Sequence, residues 1–527
     1  MTLYAGAARL ALEPPLGLPM IGFVRQRLPA TGYGAWPLET SAIALDADGR
    51  RVILCGVDVI GVGEPEVSDL IDRVVDATGA DPAGVVLNWS HTHLAPPGSG
   101  WAGELLGEPD ARREARVRSF ADVLQDKVVS VCRLAFERLE PARVVWGLGE
   151  ADLAVNRRER VGGRTILGWN PDNLVDNHVG VLQARRPDDS AIATVVAYGC
   201  HPVTTGFDMS VYSADYPGPL RELVRRITGG ECVFLQAAGG NVLPRVAFTD
   251  DEREAERMGR RLALEALHAV ADRPSAPVRI VRQDDGSVTP ISAYRRQEEA
   301  AEAPLLAATR RRVTFPLLPL PSLDEVAAQR QAADAELEAA RASGDAGRIK
   351  VAWYHAGWAR KVERALRDGT APRATEGWVN AVRIGDGLIA TGPGEIFTEI
   401  GMAVKERAPG VPTLYLGYTN GIVSYFPTAA EYPYGGYEAD YACRSYGLPA
   451  QVAPECEQIL VETAVRAGEE LFPDAIAWDA TKGWHATGKL PELPAPPPLL
   501  HPSRATGEPE GAGIGAAAHH HPAHGRA

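Results

Sequence analysis

Apolar positions along this chain recur at two spacings, and the switches between them outline a fold. Ser41 to Leu45 and the apolar run from Val52 to Val62 flank the turn-forming stretch Asp46-Ala47-Asp48-Gly49, and together they predict a β-hairpin. Val67, Leu70, Ile71, Val74 and Val75 then fall at the spacing of one helical face. After the run from Gly84 to His93, a long helical pattern extends from about Asp110 to Leu139, where Pro141 ends it. Thr194 to Cys200 and Cys232 to Gln236 read as buried strands, and Pro217 to Ile227 and Asp251 to Val270 as helices. The alternation predicts an α/β fold built on a mixed sheet flanked by helices.

Between about Gln283 and Thr375 the texture changes to Ala, Arg and Glu. Ser322-Leu323-Asp324-Glu325 has the form of a capping box and opens a helix to about Ala342; Ser343-Gly344-Asp345 breaks it, and a second helix runs to Arg367. An inserted antiparallel helical hairpin over about 322–368 is expected. Strands resume at Trp378 to Ile384 and Leu388 to Thr391, with helices at Phe397 to Glu406 and Pro454 to Leu471. One domain is expected over 1–485. The remaining 486–527, rich in Pro, Gly, Ala and His, has too little apolar surface to order itself.

Composition narrows the function. Of 527 residues, 54 are Lys or Arg and 68 Asp or Glu, a formal charge of −14 that argues against nucleic acid as a partner. There is no apolar run of about 18 residues and no basic start followed by an apolar stretch, so a soluble, cytoplasmic protein without a transmembrane segment is expected. The six cysteines are scattered with no CxxC pair. That suits reduced thiols, and leaves any metal to His and carboxylate ligands. Nothing in the chain speaks to oligomeric state.

Five of the 12 histidines (His501, His519, His520, His521 and His524) lie in the tail. Of the other seven, His268 and His355 sit on ordinary helical patterns, and His178 and His485 have no motif around them. His91 and His93 differ: in Asn88-Trp89-Ser90-His91-Thr92-His93 the spacing of two places both rings on one face if the strand runs this far. His201 ends the run Thr194 to Cys200, and Pro202 stops it, so this ring also stands at a strand's carboxyl end, where open α/β sheets bind ligands. Glu395 follows the strand Leu388 to Thr391 and the turn Gly392-Pro393-Gly394, opens a helix, and can balance a metal's charge. A plain structural reading stands beside each: paired histidines bonding at a strand end, a satisfied core histidine, and an acid complementing a helix dipole.

Ala5-Gly6-Ala7-Ala8, the His91-Thr92-His93 segment, Asn156-Arg157, His201-Pro202, Gln236-Ala237-Ala238-Gly239-Gly240-Asn241, Pro393-Gly394-Glu395, and Tyr425 through Tyr437-Glu438 occur in this order over about residues 3 to 475. As a set they resemble the catalytic domain of neutral ceramidases, zinc-dependent amide hydrolases. The resemblance implies one zinc per chain with His91, His201, Glu395 and Tyr425 as ligands, and His93, Arg157 and Tyr437 facing a small-molecule amide substrate. Two neutral imidazoles, a carboxylate and a tyrosinate would bring a zinc site to zero net charge; a neutral phenol would leave it positive. Attack of a zinc-bound water on an N-acyl or ceramide-like amide follows, with His93 moving the proton; a zinc esterase or lactonase, or a non-catalytic metal-binding protein of the same fold, are the alternatives. Three positions depart from the family: Ala237 or Ala238 replaces a serine, Asn241 an aspartate, and Leu243 a second serine. Ser213 to Gly218 also resembles a family segment and reads as a helix start, with Ser213 or Asp215 near the cap and Pro217 in the first turn.

Overall fold

In the computed structural model, which describes residues 2–23, 29–99, 107–284, 292–299 and 304–473, eight strands form one mixed sheet. Their order is Glu231–Gln236, Ala191–Tyr198, His178–Arg185, Glu140–Glu150, Leu3–Ala11, Glu39–Ala47, Arg50–Val57 and Val85–Trp89. Neighbours run antiparallel except for the outermost pair at each edge, which are parallel. The expected hairpin is Glu39–Ala47 with Arg50–Val57, turned at Asp48-Gly49, where both residues have positive φ (54° and 78°).

The period-2 alternation of the strands sets the layers. Ala42, Ala44, Ile53, Cys55 and Val57 point to helices Glu66–Thr78 and Ala111–Glu137. Ile43, Leu45, Val52 and Leu54 point the other way, onto Val382, Ile384, Ile389, Leu414 and Leu416. Those belong to a second, four-stranded sheet, Leu306–Pro316, Ala374–Ile384, Gly387–Thr391 and Thr413–Leu416. Helices Pro217–Thr228 and Glu252–Ala271 cover the rest of the first sheet, and Thr398–Arg407 and Cys456–Leu471 cover the far side of the second. The mixed sheet flanked by helices is therefore present, as one half of a helix–sheet–sheet–helix stack. Strands buried on both faces read as unbroken apolar runs, so the sequence pattern does not separate the two sheets.

The helical hairpin is Leu323–Ser343 with Ala346–Arg367. Ser322 and Glu325 close the capping box, and Asp345 caps the second helix. It docks through Trp358 Nε1, which donates to Leu448 O at 2.8 Å, and through Tyr354, 2.9 Å from the Ser445 hydroxyl. Among the described residues no helix is long and apolar enough to cross a membrane. His485 and the tail 486–527 lie outside the described residues.

Candidate metal and catalytic site

His91 and His93 are not on a strand. The strand ends at Trp89, and His91 adopts a left-handed φ of 66°, a strained conformation for a residue with a β-carbon that is held only where the surroundings enforce it. The enforcement is visible: His91 N donates to Val59 O (3.0 Å), and its Nδ1 lies 2.6 Å from Ile60 O. Asn88, buried just upstream, ties the strand end to Gln236 and Gly417. Backbone reversal, not strand alternation, makes the two rings converge.

His201 follows the strand Ala191–Tyr198, as expected, and its Nδ1 lies 2.9 Å from Gly239 O and 3.1 Å from Val242 O. A carbonyl only accepts, so on both His91 and His201 the proton belongs on Nδ1 and the Nε2 lone pair faces inward. Glu395 does not open a helix. It sits on the two-residue strand Glu395–Ile396, which pairs in parallel register with Tyr425–Phe426 and sets Glu395 beside Tyr425; the helix starts only at Thr398. Gly240 permits this approach, since a β-carbon there would stand 2.5 Å from the Glu395 carbonyl oxygen.

Glu395 Oε2 lies 3.3 Å from His91 Nε2 and 3.1 Å from His201 Nε2. With both Nδ1 protons turned to backbone carbonyls, the two Nε2 atoms and the carboxylate form a set of acceptors that could share a cation. Burial and the Arg157 charge hold His201 down to about 4, so at neutral pH it carries no proton to share. Burial alone would raise the Glu395 pKa, but the His91 and His201 contacts outweigh it and hold the carboxyl well below its usual range. Tetrahedral zinc ligands at about 2.0–2.1 Å stand about 3.3 Å from one another, which matches both distances. His93 completes a buried group of three histidines with ligand atoms within 4.8 Å of one another, a set that can hold a metal ion. Its two ring nitrogens are buried without a hydrogen-bond partner, and Phe23 packs against it with ring centres 4.6 Å apart. The donor set fits zinc.

The other expected residues reach the same cavity of about 280 Å³, which His91, His93, Arg157, His201, Glu395, Tyr425 and Tyr437 all line. Arg157 donates from Nη2 to the Tyr425 hydroxyl (3.0 Å), and its Nη1 stands 3.4 Å from His201 Nε2. Tyr437 packs on Tyr425 with ring centres 5.5 Å apart. Burial pushes both phenols up, which favours the protonated form of each. Apolar side chains line the same cavity, among them Ile21, Phe23, Val203, Phe207, Leu243 and Phe248.

Sequence reasoning missed several contributors. Tyr446 hydrogen-bonds Glu395 Oε1 from the segment Ala442–Tyr446, where nothing local marks it. Tyr418 packs on His91 at 4.6 Å. Lys350 brings the inserted hairpin to the cavity rim. The helix starts at Pro217 as expected, with Asp215 next to the cap; the cap itself is Tyr216, which makes no side-chain capping bond, while Asp215 accepts from Tyr216 N, Thr204 and Thr205, and Ser213 bonds Glu252. His178 is half-exposed and pairs with Asp176 at 2.7 Å, apart from the site.

Two mixed sheets packed face to face are a fold this chain shares with solved neutral ceramidases. The crystal structure of neutral ceramidase from Pseudomonas aeruginosa superposes with a TM-score of 0.62 at 16% identity, over 90% of this chain and 75% of that one. A structure described as ceramidase complexed with C2 matches equally, over 90% of this chain and 76% of its own. No protein-family model matches the chain, and neither does any curated protein.

Proposed function

We propose that this chain is a zinc-dependent hydrolase, one zinc per chain, that cleaves the amide bond of an N-acyl or ceramide-like small molecule. The observation that carries it is the convergence of His91, His201 and Glu395 at metal-ligand spacing on the wall of an apolar cavity, with His93 unpaired beside them. Zinc held by His91, His201 and Glu395, with Tyr425 adjoining, supplies a Lewis acid that polarises a carbonyl and acidifies water. Burial, then the neighbouring His91 and His201, hold His93 well below the usual histidine range. It is therefore neutral at pH 7, and its ring nitrogens, buried without hydrogen-bond partners, are placed to take a proton from the attacking water and return one to the leaving nitrogen. Tyr437 keeps its proton and donates to the developing oxyanion, and Arg157 fixes a polar part of the substrate. The phenylalanine wall holds the acyl chain. Six buried, unpaired cysteines suit a reducing cytosol.

The test is an assay of purified, zinc-loaded protein against N-acyl amides of increasing chain length. Hydrolysis that improves with chain length and stops with a chelator supports the reading. Cleavage of esters alone would move the protein to the esterases, and turnover of neither would overturn catalysis here.

A further inference from the structure

Successive side chains on a strand point to opposite faces, yet Arg157 and Arg158 reach the same carboxylate. Arg157 Nε donates to Glu438 Oε1 at 2.7 Å, and Arg158 Nη1 to Glu438 Oε2 at 2.6 Å. The register explains it. Along the strand Ala154–Val161, Asn156 pairs with Asn170 but Arg158 with Leu167, an irregularity at which Asn156 Oδ1 takes the Arg158 N–H at 3.0 Å. Irregularities of this kind re-aim side chains beside active sites.

All three groups are buried, Glu438 and Arg158 completely. Arg158 has a second carboxylate, Glu431 at 2.7 Å, which it shares with Arg160. Arg157, Arg158 and Arg160 thus meet Glu431 and Glu438 in one buried cluster. The Nη1 and Nη2 edge of Arg157 faces His201 and Tyr425. Because Glu438 takes the Nε side, the guanidinium plane is fixed with its other edge toward the cavity. Glu438 itself follows Tyr437 on the helical turn Tyr437–Tyr441, so one turn sets a cavity residue and the anchor of another side by side.

We propose that Glu438 is a positioning residue: it acts through Arg157, holding the guanidinium edge toward the cavity where the substrate's polar group binds. This rests on the reading that Arg157 faces substrate. The test uses full-length, zinc-loaded protein carrying Arg157→Lys, Glu438→Gln, or both. Each is assayed for zinc content, for hydrolysis of an N-dodecanoyl amide, and for binding of dodecanoate as a product-like carboxylate. Zinc should stay at one per chain. Each single change should lower kcat/KM at least tenfold, and the double variant should be no worse than Arg157→Lys alone. Losses that multiply in the double variant overturn the proposal. If Glu438→Gln does not fold, Glu438→Asp keeps the charge, and its effect must likewise vanish in the Arg157→Lys background. A wild-type protein that neither hydrolyses the amide nor binds dodecanoate defeats the proposed function instead. Positioning is then read from ¹⁵N-arginine spectra: the Arg157 Nε–H signal, identified by its loss in Arg157→Lys, must shift in Glu438→Gln and not in Glu431→Gln. An unmoved signal overturns it.

Discussion

His201→Ala removes a ring held by two backbone carbonyls, so the gap cannot be filled by a neighbour's rotation. The expected outcome is loss of bound zinc, read by metal analysis, and loss of hydrolysis. His93→Ala should behave differently, keeping zinc while the rate falls by roughly 10² to 10⁴, as for a lost acid–base group. Zinc lost from His93→Ala would make His93 a ligand instead. Asn241 is set where an amide serves and a carboxylate would not. Its Nδ2 donates to Glu399 at 2.8 Å, and its Oδ1 accepts from Thr398 N at 2.9 Å. Burial already raises the Glu399 pKa. Asn241→Asp would face one buried carboxylate with another and should destabilise by about 1–3 kcal/mol at neutral pH. The deficit should shrink in acid, because protonating one of the pair relieves the repulsion; denaturant unfolding at two pH values checks this. His91, His93 and His201 were legible because histidine is scarce and they stand at strand ends. Tyr446 and Tyr418 were not, since an aromatic residue that serves a site and one that fills a core look alike along a sequence.

At the level of elements, the inserted hairpin is joined to the cavity by Trp358 and Tyr354. Trp358→Ala should cost ~3–5 kcal/mol by loss of buried area and of the Leu448 bond. With the segment beneath it carrying Ser445 and Tyr446, the KM should rise while zinc content holds, which separates loosening of the wall from loss of the metal site. Asp176 ties the entry of strand His178–Arg185 to helix Thr398–Arg407 through Lys405 at 2.6 Å. Burial would raise its pKa, but His178 and Lys405 outweigh this and bring it to about 2. A depressed carboxyl pKa contributes stability that is present above its unfolded value and lost as pH falls through the folded one. Asp176→Asn should therefore cost about 2 kcal/mol at pH 7 and almost nothing near pH 2, measured by urea unfolding. The periodic elements were readable, and the capping box at Ser322 located a helix start. The short ones were not. A two-residue strand such as Glu395–Ile396 has no periodicity to detect, and its pairing with Tyr425–Phe426 is decided by tertiary contacts.

Across the whole molecule, the proposed chemistry would rest on a metal rather than on a hydroxyl nucleophile. Ala238 packs in the core with Tyr415 and Ile400, and Ser213 is buried against Glu252. The expected outcome is no burst phase, no labelling by fluorophosphonates, and inhibition by a chelator; an acylated serine found by mass spectrometry during turnover would contradict it. Zinc should also raise the melting temperature, since a ligand that binds only the folded state stabilises it by about 2.7 kcal/mol at a hundred times its Kd. The tip of the helical hairpin, Ser343-Gly344-Asp345, adds something further. It is a loop tip with exposed residues, the kind of place where a chain tolerates a break. A cut there would leave His91, His93 and His201 on one piece and Glu395, Tyr425 and Tyr437 on the other. Two separately expressed halves, each with an incomplete set of donors, would then report their own reassembly by the return of a tightly held zinc.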